Sequence, residues 1–334
     1  MNNGAISLHK PQRLLHRYSE NNMLLIQVAK SKAFFFLCII CVSQLVSGNR
    51  LYELVPEDQD MFPLPNQDQD RRLTNTAHLH FYVMGDVPYR EAERIRFPLQ
   101  ISSLDVRPDF LVHVGDMKKH STLCTPENYK EMADMLKAHS RPTFVVLGDN
   151  DWFECEHRIA SYNLWQKHLS KMERNWPTSG FQVEHQENRT ENFAFVHNHV
   201  LVMGLHVVHA SFNVEPMLYD IVEDTVSFFQ SYFDLMTSDE IQAVVIFGHA
   251  FPFHPKFKAF QSVLMEAVVF ATDTSFLYIQ GDDHVFQVDN PLESPNNFLR
   301  VVVDRGGIAD PLEVVVDTSS PYPFKLKRRP LSVL

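Results

Sequence analysis

Five times this chain repeats one piece of punctuation: an apolar, β-rich run that stops at a glycine, followed at once by a side chain able to bind a cation. Leu79–Met84 stops at Gly85-Asp86, Phe110–Val114 at Gly115-Asp116, and Thr143–Leu147 at Gly148-Asp149. Ala243–Phe247 stops at Gly248-His249 and Phe276–Gln280 at Gly281-Asp282. In random order the 11 glycines and 22 aspartates of 334 residues would form about 0.7 Gly-Asp pairs, so four pairs, each closing an apolar run, are an excess. Helical signals lie between the runs. Thr125 is placed to cap, Pro126 suits a first helical position, and Tyr129, Met132, Ala133 and Leu136 share one face. Residues 156–172, 217–236 and 256–271 also read as helices. Strands alternating with helices predict an α/β domain. In such sheets the crevice beyond the carboxyl ends of the strands gathers ligand-binding side chains, and glycine there permits a tight turn. Asp86, Asp116, Asp149, His249 and Asp282 are therefore expected to converge, with His284 two residues further on.

Converging carboxylates repel one another unless something positive lies between them. Four Asp and two His in one crevice thus predict a metal site, against the blander reading in which each Asp merely caps a turn. Composition fits a globular domain: 45% hydrophobic residues and 26 Phe exclude disorder throughout. The net charge of -11 argues against stable nucleic-acid binding. Ala33–Val42 holds no polar side chain, follows Lys30 and Lys32, and precedes the small residues Ser47 and Gly48. That is the pattern of a secretory signal over residues 1–48, with an uncleaved, type II membrane anchor as the alternative. Without those residues 25 basic and 40 acidic side chains remain, a net of -15. Cys38 and Cys41 leave with the signal. Cys124 and Cys155 remain, an even pair that suggests a disulfide in an exported chain. Asn188-Arg189-Thr190 makes Asn188 a glycosylation candidate. Residues 49–76 read as a flexible linker, 77–320 as the folded domain, and 321–334 as a solvated tail with a basic stretch at Lys325–Arg329.

The ordered set resembles the calcineurin-like metallophosphoesterase superfamily, whose blocks run Asp-x-His, Gly-Asp, Gly-Asn-His-Asp/Glu, a His, and Gly-His-x-His, each after a strand. Here they read Asp86-Val87-Pro88, Gly115-Asp116, Gly148-Asp149-Asn150-Asp151, His249 and Gly281-Asp282-Asp283-His284. The third and fifth blocks are similar to a branch with Gly-Asp-Asn-Asp/Glu-Trp and Gly-Asp-x-His, in which cysteines fall where Cys124 and Cys155 stand. The resemblance implies an α/β fold of two packed mixed β-sheets flanked by helices, a four-layer αββα sandwich. It implies two divalent metal ions: Asp86 and His284 on the first, Asp116 bridging, and Asp149, His249 and Asp282 on the second. Oxygen-rich ligation favours Mn2+, Mg2+ or Ca2+ over Fe or Zn. The implied activity is that of a hydrolase acting on phosphoric ester bonds through a metal-bridging hydroxide. Its substrate would be a phosphorylated small molecule or nucleotide, and no protein partner is expected.

Several positions depart from the pattern. Pro88 replaces a His, so the first ion loses a nitrogen ligand. Asn150 replaces the third-block His; it can donate a hydrogen bond to substrate but cannot deliver a proton. Asn150 and Asp151 remain the candidate catalytic positions, Asp151 by orienting its neighbours. Asp149 and Asp282 replace neutral ligands, so four carboxylates would cancel about +4 of metal charge. Lys118 could restore attraction for phosphate, with Lys119 and Arg90 less well placed; surface solubility is the blander reading of all three. Lys119 stands where purple acid phosphatases carry an iron-binding Tyr, so no purple iron site is expected. These departures keep a second reading in view, a catalytically weak metal- or phosphate-binding protein of the same fold. His206 and His209 follow the run Val200–Leu205 and either line the crevice or pack. Trp152, Trp165, Trp176 and His113 read as core.

Overall fold

Strands buried on both faces dictate the architecture. The computed structural model describes residues 51–59, 78–209, 215–292 and 294–331; the expected signal and most of the expected linker lie outside them. A six-stranded sheet is built from β1 (Tyr52–Leu54), β2 (His78–Met84), β3 (Phe110–His113), β4 (Thr143–Val145), β12 (Leu312–Asp317) and β13 (Phe324–Lys327), in the order β1-β13-β12-β2-β3-β4. Here β2, β3 and β4 run parallel, and β12 runs antiparallel to β2. A seven-stranded sheet holds β5 (Glu184–His185), β6 (Phe193–His197), β7 (Val200–Gly204), β8 (Ala243–Phe247), β9 (Ser275–Gln280), β10 (Gln287–Asp289) and β11 (Phe298–Val302), in the order β10-β11-β9-β8-β7-β6-β5. Its β7, β8, β9 and β11 are parallel. Both sheets are mixed.

The period-2 alternation of side chains divides each strand between two cores. Leu79, Phe81 and Val83 of β2, Phe110 and Val112 of β3, Val245 and Phe247 of β8, and Leu277 and Ile279 of β9 pack together between the sheets. Phe81 stacks on Phe110 at 5.1 Å and Phe144 on Phe195 at 5.1 Å, each such pair adding about 0.5–1.5 kcal/mol beyond burial. The alternate residues Tyr82, Met84, Leu111, Val244, Ile246 and Tyr278 face the helices. These are α1 (Glu91–Ser102), α2 (Pro126–Leu136), α3 (Arg158–His168), α4 (Glu215–Gln230), α5 (Phe233–Met236) and α6 (Lys258–Phe270). The four-layer arrangement is the one expected. No helix among the described residues is long and apolar enough to cross a membrane.

α2 starts as its sequence predicts: Thr125 Oγ1 accepts from Asn128 N at 3.3 Å, with Pro126 at the first position. The helix expected over 156–172 is shorter and ends in a separate turn at Met172–Asn175. The one expected over 217–236 is divided into α4 and α5, and α6 follows a short turn at Pro255–Phe257. α1 was not anticipated, because Pro98 lies inside it and only Phe97 and Ile101 supply buried apolar side chains. Its start is set by Glu93, whose Oε2 accepts from Tyr89 N at 2.6 Å and Arg90 N at 3.1 Å. The solvated-tail reading is corrected. Phe324–Lys327 is strand β13, whose Phe324 and Leu326 enter the core between the sheets. Arg328 and Arg329 pair with Asp304 and Glu313. The linker reading is corrected in part as well: Tyr52–Leu54 pairs with β13.

Candidate metal centre

The residues after β2, β3 and β4 and those after β8 and β9 meet at one edge of the sandwich. Asp86, Asp116, Asp282 and His284 adopt positive φ, between 56° and 64°. They are four of the six non-glycine residues that do so among the described ones. Left-handed backbone is costly for residues with a side chain and concentrates at functional sites. Two glycines explain how the loops come so close. A Cβ on Gly148 would lie 2.3 Å from Asp116 N and Oδ1, and one on Gly281 would lie 2.3 Å from Asp86 Oδ2. Neither has a positive φ. What these two positions require is the absence of a side chain where another loop's carboxylate passes, rather than the turn conformation expected from the sequence.

His249 is the centre of the arrangement and is fully buried. Its Nδ1 lies 2.7 Å from Val114 O. A carbonyl only accepts, so Nδ1 carries the proton. Nε2 makes no hydrogen bond and faces Asp149 Oδ1 at 3.3 Å, Asp116 Oδ1 at 3.4 Å and Asp282 Oδ1 at 3.9 Å. Among the described residues, two groups have ligand atoms within 4.8 Å of one another: Asp86, Asp116 and His249, and Asp149, His249 and Asp282. His284 Nε2 stands 3.1 Å from Asp86 Oδ1. A buried imidazole nitrogen without a partner, aimed at carboxylates, is the donor set that a hard or borderline divalent ion takes. The residues fit two such ions.

Electrostatics agree. Burial pushes Asp116 well above the carboxylate range; the charges of Asp149, Asp151 and Asp86 add to this, while His249 opposes it. Burial alone would lower His249, yet Asp116, Asp149 and Asp86 outweigh it and hold the imidazole well above its ordinary value. Burial would raise Asp149, but the His249 imidazole beside it holds it below. Without a cation, protons neutralise the cluster.

The remaining expected residues are distributed as follows. Asn150 is half-buried; its amide Nδ2 donates to Asp116 Oδ2 and its backbone N to Asp116 Oδ1 at 3.0 Å. Asp151 is fully buried and does not face the crevice. Its carboxylate accepts from Asp116 N (3.0 Å), Met117 N (2.8 Å) and Gly148 N (3.0 Å), so it holds the second and third loops together. Lys118, expected to meet substrate, is fully enclosed, and its Nζ makes no hydrogen bond. The chain turns it inward, where burial lowers its pKa against the pull of Asp151 and Asp116. Lys119 and Arg90 are exposed. Cys124 and Cys155 are bonded, with Cα atoms 6.0 Å apart. Asn188 is exposed. His206 is buried, its Nδ1 2.7 Å from Glu191 Oε1. His209 instead lines the crevice, with Nδ1 2.5 Å from Asp282 Oδ2. His113 packs against Val87 O at 2.9 Å, and burial lowers its pKa to about 4. Trp152 and Trp165 are core. Sequence reasoning missed Tyr89, whose hydroxyl lies 2.8 Å from Asp116 Oδ2 and 3.2 Å from Asp86 Oδ1. Its position three residues past Asp86 was the available signal.

Residues 79–286 match the family model of the calcineurin-like phosphoesterases. The chain belongs to that family, a class of hydrolases acting on phosphoester bonds. No curated protein matches it. Among solved structures, PhoD is similar in fold, with 11% identity, a TM-score of 0.50, and coverage of 73% of this chain and 65% of that one. A 5'-nucleotidase from Candida albicans has 13% identity and a TM-score of 0.47 over 76% of this chain and 52% of its own. GAP50, the anchor in the inner membrane complex of Plasmodium, has 13% identity and a TM-score of 0.46 over 77% of this chain and 90% of its own.

Proposed function

We propose that the chain is an exported phosphoesterase that hydrolyses phosphate esters of small molecules or nucleotides at a two-ion centre. The observation that carries this reading is His249: Nδ1–H is held by Val114 O, which leaves Nε2 directed at three carboxylates without a hydrogen-bond partner. Two bound divalent ions would supply a water of lowered pKa and charge to offset the phosphoryl oxygens. Asp86 and His284 hold the first position. Asp149, His249 and Asp282 would hold the second, and Asp116 would serve both. Asp151 keeps the Asp116 and Gly148 loops in register, and His209 orients Asp282. Asn150 steadies Asp116, to which its amide Nδ2 donates. With Lys118 enclosed, attraction for phosphate falls to the ions themselves.

Export is supported by the apolar run Ala33–Val42 after Lys30 and Lys32, by the Cys124–Cys155 bond and by the exposed acceptor Asn188. N-terminal sequencing of the exported protein tests it, and a start at or before Lys32 rejects cleavage. A second reading, slow or absent turnover, is favoured by Pro88 and by an Asn150 amide already committed to Asp116. Hydrolysis of an aryl phosphate with added Mn2+, compared with Asp116→Asn, separates the two. Equal rates for the two proteins would remove the hydrolase assignment, and two bound ions without turnover would select the second reading.

A further inference from the structure

We propose that the phenol oxygen of Tyr89 is a ligand of the first ion and fills the place left by the histidine missing at Pro88. The inference rests on the two-ion reading above. Without Tyr89 the first position has Asp86, Asp116 and His284, one fewer than the four side chains around the second. Tyr89 sits where the loop after β2 turns into α1, and Glu93 fixes it there by accepting from Tyr89 N at 2.6 Å. The ring packs edge-on to His284, with centroids 5.7 Å apart.

Distances and proton count both point to a shared cation. The phenol oxygen is 3.2 Å from Asp86 Oδ1 and 2.8 Å from Asp116 Oδ2, and His284 Nε2 is 3.1 Å from the same Asp86 oxygen. Ligands about 2.1 Å from one ion at octahedral angles stand about 3 Å apart, the spacing these contacts have. A phenol owns one proton and can donate to one carboxylate only. The second carboxylate contact then needs a positive charge between its two oxygens, a proton in the metal-free protein or an ion in the loaded one, while Asn150 Nδ2 approaches the same phenol oxygen at 3.4 Å as a donor. A cation among Asp86, Asp116, His284 and Tyr89 resolves that contact. The two oxygens of Asp116 agree with it: Oδ1 faces His249 and Oδ2 faces Tyr89, one toward each ion position.

The test is metal loading of the purified full chain, read by metal analysis, calorimetry with Mn2+ and visible absorption with Fe3+. A tyrosine oxygen on Fe3+ gives a broad visible charge-transfer band, whereas carboxylate and imidazole ligands alone do not. Wild type should take two ions and turn coloured with iron. Tyr89→Phe, which keeps the ring against His284, should lose the band and bind one of the two ions at least about tenfold more weakly. Tyr89→His should regain two-ion binding without colour. A colourless iron-loaded wild type, or a Tyr89→Phe protein binding both ions with wild-type affinity, overturns the inference and leaves the two-ion reading standing. A wild type that binds no ion overturns both.

Discussion

The two walls of the crevice are made differently. The wall from β2, β3 and β4 is one piece. Asp151 accepts three backbone N–H groups across two loops, the Cys124–Cys155 bond ties the segments after β3 and β4, and Asp86 and Asp116 are 1% and 3% exposed. The wall from β7, β8 and β9 is a set of separate loops that lean on the first. His249 Nδ1 donates to Val114 O, and Asp282 N donates to Asp86 Oδ2 at 3.2 Å. His249 is buried, but the other two side chains of this wall are more open, 20% exposed for Asp282 and 38% for His284. The first wall is thus prepared before any ion arrives, and the second takes its alignment from the first. Damage should travel from the first wall to the second more readily than back.

The largest expected effect is that of Asp116→Asn, which removes the residue shared by both positions. Activity should fall by more than the 10–100-fold typical of residues that only support a ligand, and metal analysis should find at most one ion per chain. Next comes the pair Asp86→Asn and Asp282→Asn. The first should disturb both ion positions, because Asp86 also anchors the Asp282 backbone; the second should empty only one. Calorimetry that finds Asp282→Asn the more damaging would invert the comparison. Replacing both Cys124 and Cys155 by Ser should cost about 3–4 kcal/mol for a loop of this length, read by denaturant melts, and should weaken the first wall. In the metal-free protein Asp116 and His249 hold their protons more tightly than in the unfolded chain. Stability of that form therefore falls as pH rises, and the part due to His249 is present below about 6.5 and lost as pH climbs through its raised value. Ions must displace those protons, so the gain in Tm on adding Mn2+ should be larger at about pH 8 than at about pH 6; a gain that shrinks with pH would contradict the assignment. The smallest effect is that of His209→Gln, which frees Asp282 and should weaken the second ion by about tenfold while leaving the first unchanged in the same calorimetry.

The strands carrying the ligands were legible because parallel strands are covered on both faces and therefore read as unbroken apolar runs. Each run then ended at a glycine. β13 was not legible, because Phe324–Lys327 alternates apolar and basic residues and looks like a solvated end until β12 and β1 are seen beside it. α1 was hidden by Pro98. The convergence of Asp86, Asp116, Asp149, His249, Asp282 and His284 followed from topology. The inward turn of Lys118 did not, since nothing in the sequence tells which side of a loop its side chain takes. Tyr89 was missed for a related reason: its approach to the carboxylates depends on the path the chain takes from Asp86 to the start of α1.

Gly148 and Gly281 keep vacant the volume through which a carboxylate from a different loop reaches the centre. A methyl group at either would displace a ligand it is not bonded to, so these loops cannot drift independently. An alanine at either place would therefore disable the centre while every aspartate still stood.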